Sequence, residues 1–163
     1  MDLDFQKRLE KAIERGYRAG DAKAEAEAKR RLGEQELRGL HTQYRLAICE
    51  HIEKCLRQLP DLLPGFDFEL VVSERGWGAA VSRNDIVAAK GQRATTRFSR
   101  MEVVIRPINS YFLLEIAAKA TVRNRELFNR THYEQLADTD LASFTGLIDL
   151  WVLEFAELYA SKS

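Results

Sequence analysis

The sequence predicts an α+β fold: an N-terminal long helix or helical hairpin, an antiparallel β-meander of about five strands, and a C-terminal helix packed between the sheet and the helical arm. Three observations carry this prediction. Residues 2–59 lack proline and keep a helical apolar period, the period changes to two after Gly65, and it turns helical again after Asp140.

The elements follow in order. Leu9, Ile13 and Tyr17 share a helical face. Gly20 and Asp21 then offer a C-cap and a fresh N-cap, which is the case for a hairpin. Residues 21–31 are mostly Ala, Lys, Glu and Arg, good helix formers with little to bury. From Leu37 the stripe resumes through Leu40, Tyr44, Ile48, Ile52, Cys55 and Leu59, and Pro60 and Pro64 end it. Residues 1–59 are therefore read as a helical arm. Residues 60–163 are read as a sheet with its C-terminal helix, one cooperative unit with the arm.

Phe66, Phe68, Leu70 and Val72 alternate with Asp67, Glu69, Val71 and Ser73, a strand with one buried face. Glu74-Arg75-Gly76 turns it into a second strand over 77–83, and residues 84–92 fit either a short helix or a loop. Two long strands cover 97–106 and 111–122, with Met101, Val103 and Ile105 facing the core in one and Phe112, Leu114, Ile116, Ala118, Ala120 and Val122 in the other. Pro107-Ile108-Asn109-Ser110 suits a four-residue hairpin loop between them. Asn124-Arg125 turns into a last strand over 126–133. Asp138-Thr139-Asp140 marks a helix start. The helix that follows, through about residue 160, carries apolar residues around most of its circumference, so burial on more than one side is expected.

A chain of 163 residues is long enough to bury a core without disulfides or metal. Its most apolar stretch, 147–155, is interrupted by Asp149 and Glu154, which excludes a membrane span. The N-terminal residues do not resemble a secretory signal. Cys49 and Cys55 point to different sides of one helix and cannot bridge within it. A reducing cytoplasm is the expected compartment.

Chemistry-bearing motifs are sparse. Gly76 and Gly78 lack the third glycine of a nucleotide-binding turn and read as a tight turn. There is no Gly-x-Ser-x-Gly, His-Glu-x-x-His or Cys-x-x-Cys. His51 and Cys55, four apart on a helix, form a two-ligand edge at most, and His41 lies about 15 Å further along. A stable zinc site takes three or four ligands. Cys55 is accordingly read as a core thiol with a histidine at its margin, Cys49 as core, and no metal or cofactor is expected.

The hairpin loops suggest a more specific arrangement. A four-residue loop pairs Arg106 with Tyr111 and so places Glu102 opposite Glu115. A two-residue Asn124-Arg125 turn places Glu115 opposite Glu134. The candidate catalytic residues are this row of Glu102, Glu115 and Glu134, which would share a proton or hold a hard cation. Arg100, Arg106, Lys119, Arg130 and His132 share that face and could instead neutralise the row. The same face carries Phe98, Val104, Tyr111, Leu113 and Phe128, an apolar patch rimmed by charge and the candidate interaction surface.

Charge is balanced overall, with 25 cations and 25 acids, which excludes a uniformly basic nucleic-acid binder. Locally it is not balanced. Residues 74–130 hold eleven cations and five acids, whereas residues 131–163 hold six acids and only Lys162. Arg93, Arg97 and Arg100 are the candidate anion or nucleic-acid contacts, with Phe98 available for stacking. The expectation drawn from all this is a non-enzymatic, self-associating interaction module, a homodimer with scope for a protein partner. Phosphate or nucleic-acid binding through 74–130 is the alternative, and an enzyme using the glutamates the second alternative.

Overall fold

A computed structural model describes residues 3–88 and 90–161, apart from the side chains of Lys29, Arg31 and Leu32; Lys162 lies outside the described residues. Helix α1 runs unbroken over Leu3–Leu56, so Gly20 and Asp21 stay inside a helix and the long-helix alternative is the one adopted. The chain forms two compact units, Met1–Gly39 and Leu40–Ser163. In the first, every described side chain from Leu3 to Arg30 is exposed.

The second unit holds the rest of α1, the short helix α2 (Leu59–Leu62), a five-stranded sheet and helix α3 (Leu141–Ser161). The strands are β1 (Asp67–Ser73), β2 (Gly76–Val87), β3 (Thr95–Ile105), β4 (Leu113–Val122) and β5 (Arg125–Gln135). Each pairs antiparallel with its sequence neighbour, in the order β1-β2-β3-β4-β5. No helix among the described residues is long and apolar enough to cross a membrane.

One sheet face carries the core. Val81, Met101, Val103, Ile105, Leu114, Ile116 and Ala118 are fully or almost fully buried there, meeting Ile48, Ile52 and Leu56 of α1 and Phe144, Ile148 and Phe155 of α3 in the buried set. Phe66 packs its ring edge-on to Phe155 and Tyr159, at centroid distances of 6.0 and 4.8 Å. Helix α3 contacts the sheet through Arg130–Glu154 and residues 40–56 through His51–Asp149. Its buried stripe is narrower than the sequence suggests, because Leu150 and Leu153 are exposed. The alternation in β1 also buries less than expected. Phe66 is buried but Leu70 and Val72 are exposed, since β1 is an edge strand with only β2 beside it.

Both hairpin registers differ from those the loops suggested. In β3–β4, Ile105 pairs with Ile116 and Glu102 with Lys119, a slip of four places that keeps the apolar faces together. The cause is a longer loop. The Asn109 side chain accepts hydrogen bonds from the backbone N–H groups of Tyr111 (3.0 Å) and Leu113 (3.3 Å), and Phe112 adopts a positive φ of 52°. In β4–β5 the turn is Arg123-Asn124, one place earlier, with φ of 48° and 69° as a type I′ turn requires. A bulge then leaves Leu127 without a partner, between the pairs Thr121–Glu126 and Ala120–Phe128.

That bulge sets which face β5 presents. Ala120 opposes Phe128, Ala118 opposes Arg130, Ile116 opposes His132 and Leu114 opposes Glu134. All four β5 residues therefore share the helix-covered face.

Candidate functional site

The structure separates the three glutamates. Glu102 lies on the sheet's uncovered face, nearly buried, where Arg100 donates to it at 3.2 Å and Arg75 stands at 3.7 Å. Glu115 pairs with Arg106 at 3.2 Å and stands opposite Tyr133. Glu134 is on the other face, at the start of α3, where it accepts hydrogen bonds from Asp140 N–H (2.9 Å) and Ser143 Oγ (2.5 Å) and contacts His132 Nε2 at 2.7 Å. Partial burial opposes its ionisation, but these hydrogen bonds outweigh burial and hold its carboxyl below the usual glutamate range. No carboxylate row exists, because both registers moved.

The expected apolar patch is also dispersed. Phe128 is buried on the helix side, its ring beneath the Arg130 guanidinium, and Val104 is buried although it lies on the uncovered face. Phe98 and Tyr111 remain exposed and Leu113 half-buried. The basic run divides as well. Arg93 is exposed in the β2–β3 loop, and Arg100 is held by Glu69 and Glu102. Arg97 instead joins Arg123, Asn124 and Arg125 around a surface hollow of about 570 Å³ at the β4–β5 turn. Arg123 is tied there, its guanidinium 4.3 Å from the Tyr159 ring and within 4.0 Å of Asp85.

A second gathering of chemically versatile side chains, His51, Cys55 and Asp149, lies between helices. On α1, His51 and Cys55 are one turn apart, and Asp149 approaches from α3. Asp149 Oδ1 accepts hydrogen bonds from His51 Nε2 at 2.7 Å and from the Cys55 thiol at 3.3 Å. Cys55 Sγ is 3.5 Å from the same His51 nitrogen. Burial first, and then the hydrogen bond to Asp149, push the Cys55 thiol up to about 11. Such a thiol is almost wholly protonated at neutral pH and is a poor nucleophile in that state.

Cys55 and Asp149 also line an apolar groove of about 330 Å³, with Leu59, Leu62, Val152 and Leu153 along it. Cys55 is thus a half-buried polar partner at the groove and not the core thiol the apolar stripe suggested. Cys49, likewise half-buried, directs its thiol at the Trp77 carbonyl, 3.6 Å away. Sequence spacing shows His51 and Cys55 on one helical face. It carries no signal for Asp149, 94 residues beyond Cys55, which only tertiary packing brings in.

Comparisons with protein families, with curated proteins and with solved structures find no match to this chain.

Proposed function

We propose that the protein is a non-enzymatic self-associating module, and that its partner is a second copy of the chain joined through the first unit of α1. One observation carries this reading: Phe5, Leu9, Ile13 and Tyr17, each four residues from the next, are all exposed, with Leu9 and Ile13 the least so at 47% and 49%. A helical unit with no buried side chain from Leu3 to Arg30 among those described draws little stability from packing of its own. Pairing the stripe with its own copy supplies that packing in an isologous contact, where each chain presents the same surface. The flanks carry both signs, Glu10 and Glu14 among Arg8, Lys11 and Arg15, so identical helices are not forced into like-charge repulsion. Two free thiols support placing the protein in a reducing cytoplasm.

Sedimentation equilibrium of the full chain tests the reading. A dimer on the order of 10 µM is expected, and Leu9→Asp with Ile13→Asp should return it to monomer by desolvation cost and like-charge crowding. A wild-type monomer at that concentration overturns it.

A second reading, phosphate or nucleic-acid binding, draws support from the hollow that gathers Arg97, Arg123 and Arg125. Its test is salt-dependent binding of a single-stranded oligonucleotide. Arg97→Ala with Arg125→Ala should weaken binding, and affinity that ignores either salt or these substitutions removes the reading.

A further inference from the structure

We propose that His51, Cys55 and Asp149 form a three-ligand site for a borderline-soft divalent cation, zinc by its chemistry, with the fourth position left to water or an exogenous ligand. This goes beyond self-association and does not depend on it. The three donors are of the kinds zinc takes together: imidazole nitrogen, thiolate sulfur and carboxylate oxygen. They come from two elements of the same compact unit, α1 and α3, and all three donor atoms lie within 4.8 Å of one another.

The geometry distinguishes a metal site from a catalytic relay. In a Cys–His–Asp relay the imidazole uses one nitrogen for the acid and the other for the thiol. Here both Asp149 Oδ1 and Cys55 Sγ stand at the same atom, His51 Nε2, at 2.7 and 3.5 Å. Converging donors suit a shared cation. Bond lengths of about 2.3 Å to sulfur and about 2.0 Å to nitrogen and oxygen imply, for a tetrahedral ion, about 3.5 Å between sulfur and either light atom and about 3.3 Å between nitrogen and oxygen. The observed sulfur distances of 3.5 and 3.3 Å are already close. The nitrogen–oxygen pair at 2.7 Å has to open by about half an ångström, which an exposed aspartate permits.

Without a cation, the Asp149 carboxylate accepts hydrogen bonds from the His51 Nε2–H and the Cys55 thiol, so the same atoms are satisfied in both states. On binding, the S–H bond of Cys55 breaks, a sulfur–metal bond forms and one proton leaves to buffer. At His51 the Nε2–H bond breaks and an Nδ1–H bond forms through solvent, so the ring proton is relocated and the Nε2 lone pair is freed for the metal. No oxidant or reductant is involved.

The probe is Co(II), titrated into the full reduced chain and then displaced by Zn(II). The expected result is one Co(II) per chain with a thiolate charge-transfer band. Cys55→Ser should abolish the band and Cys49→Ser should retain it, while His51→Ala and Asp149→Asn should each weaken binding at least about tenfold. Far-ultraviolet circular dichroism confirms that each variant is folded. Calorimetry in two buffers of different ionisation enthalpy should read release of about one proton per metal. Absence of stoichiometric binding to the wild type at micromolar metal, or a band that survives Cys55→Ser, overturns the proposal.

Discussion

Lys119 stands directly opposite Glu102 on the β3–β4 ladder, the place a shorter hairpin loop would have given to Glu115. A like-charged cross-strand pair is thereby replaced by an opposite-charged one, and Arg100 and Arg75 close around the same carboxylate. Removing that charge leaves three cations facing one another. Glu102→Gln should cost about 1 kcal/mol by urea denaturation, and less in high salt. Glu115→Gln, which frees only the half-exposed Arg106, should change stability by less than about 0.5 kcal/mol.

Gly78 has no room for a side chain. A Cβ there would lie 1.9 Å from the Val103 carbonyl oxygen and 2.8 Å from Val104 Cα, both backbone atoms that cannot swing aside. Gly78→Ala should therefore destabilise by about 3 kcal/mol or more. Gly146, in α3 with nothing within 4 Å of its would-be Cβ, is the contrast. Gly146→Ala should stabilise by up to about 1 kcal/mol, read as a higher urea midpoint.

Two groups make the fold acid-sensitive in separate windows. His41 is buried and contacts the Arg106 carbonyl oxygen through Nε2 at 3.2 Å, so its proton sits on that nitrogen. Burial lowers its pKa below 6.5, more than the carbonyl contact raises it, and Arg45 lowers it further. The unfolded chain then binds the proton more readily, so stability falls as pH drops from about 6.5 through the lower folded value. His41→Gln should flatten that limb in stability measured against pH.

Glu134 acts lower in pH. Its folded pKa lies below 4.5, so its contribution is present above that value and is lost as pH falls through the folded one. Glu134→Gln should remove this limb. It should also loosen the start of α3, where Asp140 Oδ1 accepts from Ala142 N–H at 3.1 Å; Asp140→Ala should cost about 1 kcal/mol.

The unpaired Leu127 fixes the facing of β5. Pairing it with Ala120 would turn Phe128 away from α3, whereas deleting it makes Thr121–Glu126 and Ala120–Phe128 consecutive pairs, so Phe128, Arg130, His132 and Glu134 should keep their facing and the Arg130–Glu154 pair at 2.6 Å should persist. A single cooperative urea transition is the expected result for the deletion, as for the parent chain, and broad unfolding would show that the bulge itself is needed.

Periodicity made the fold legible. The Leu40–Leu59 stripe, the core positions of β3 and β4, and the start of α3 all follow from side-chain spacing that the local backbone imposes. What failed depended on loops. Asn109 lengthens one hairpin through side-chain bonds that many loop sequences can make, and a type I′ turn on Arg123-Asn124 lacks the usual glycine. A one-residue error in register reverses a strand's faces, which is why Glu134 and Phe128 were misplaced together, whereas the four-place slip parted Glu102 from Glu115 without changing their face. The site suffered from distance instead. His51 and Cys55 are visible as neighbours on a helix, whereas Asp149 joins them only when α3 docks.

The strictly sequential meander has a kinetic meaning. Every ladder joins strands adjacent in the chain, so the sheet can zip from local hairpins with little loop-closure cost. Helix α3 is different: Phe155 closes on Phe66, and Asp149 on His51, 98 residues back. During synthesis the last helix leaves the ribosome after all five strands, and until it arrives the apolar face of the sheet has only part of its cover. A chain cut before Leu141 should therefore be a substrate for chaperones, because it keeps the strands and loses the helix that closes over them.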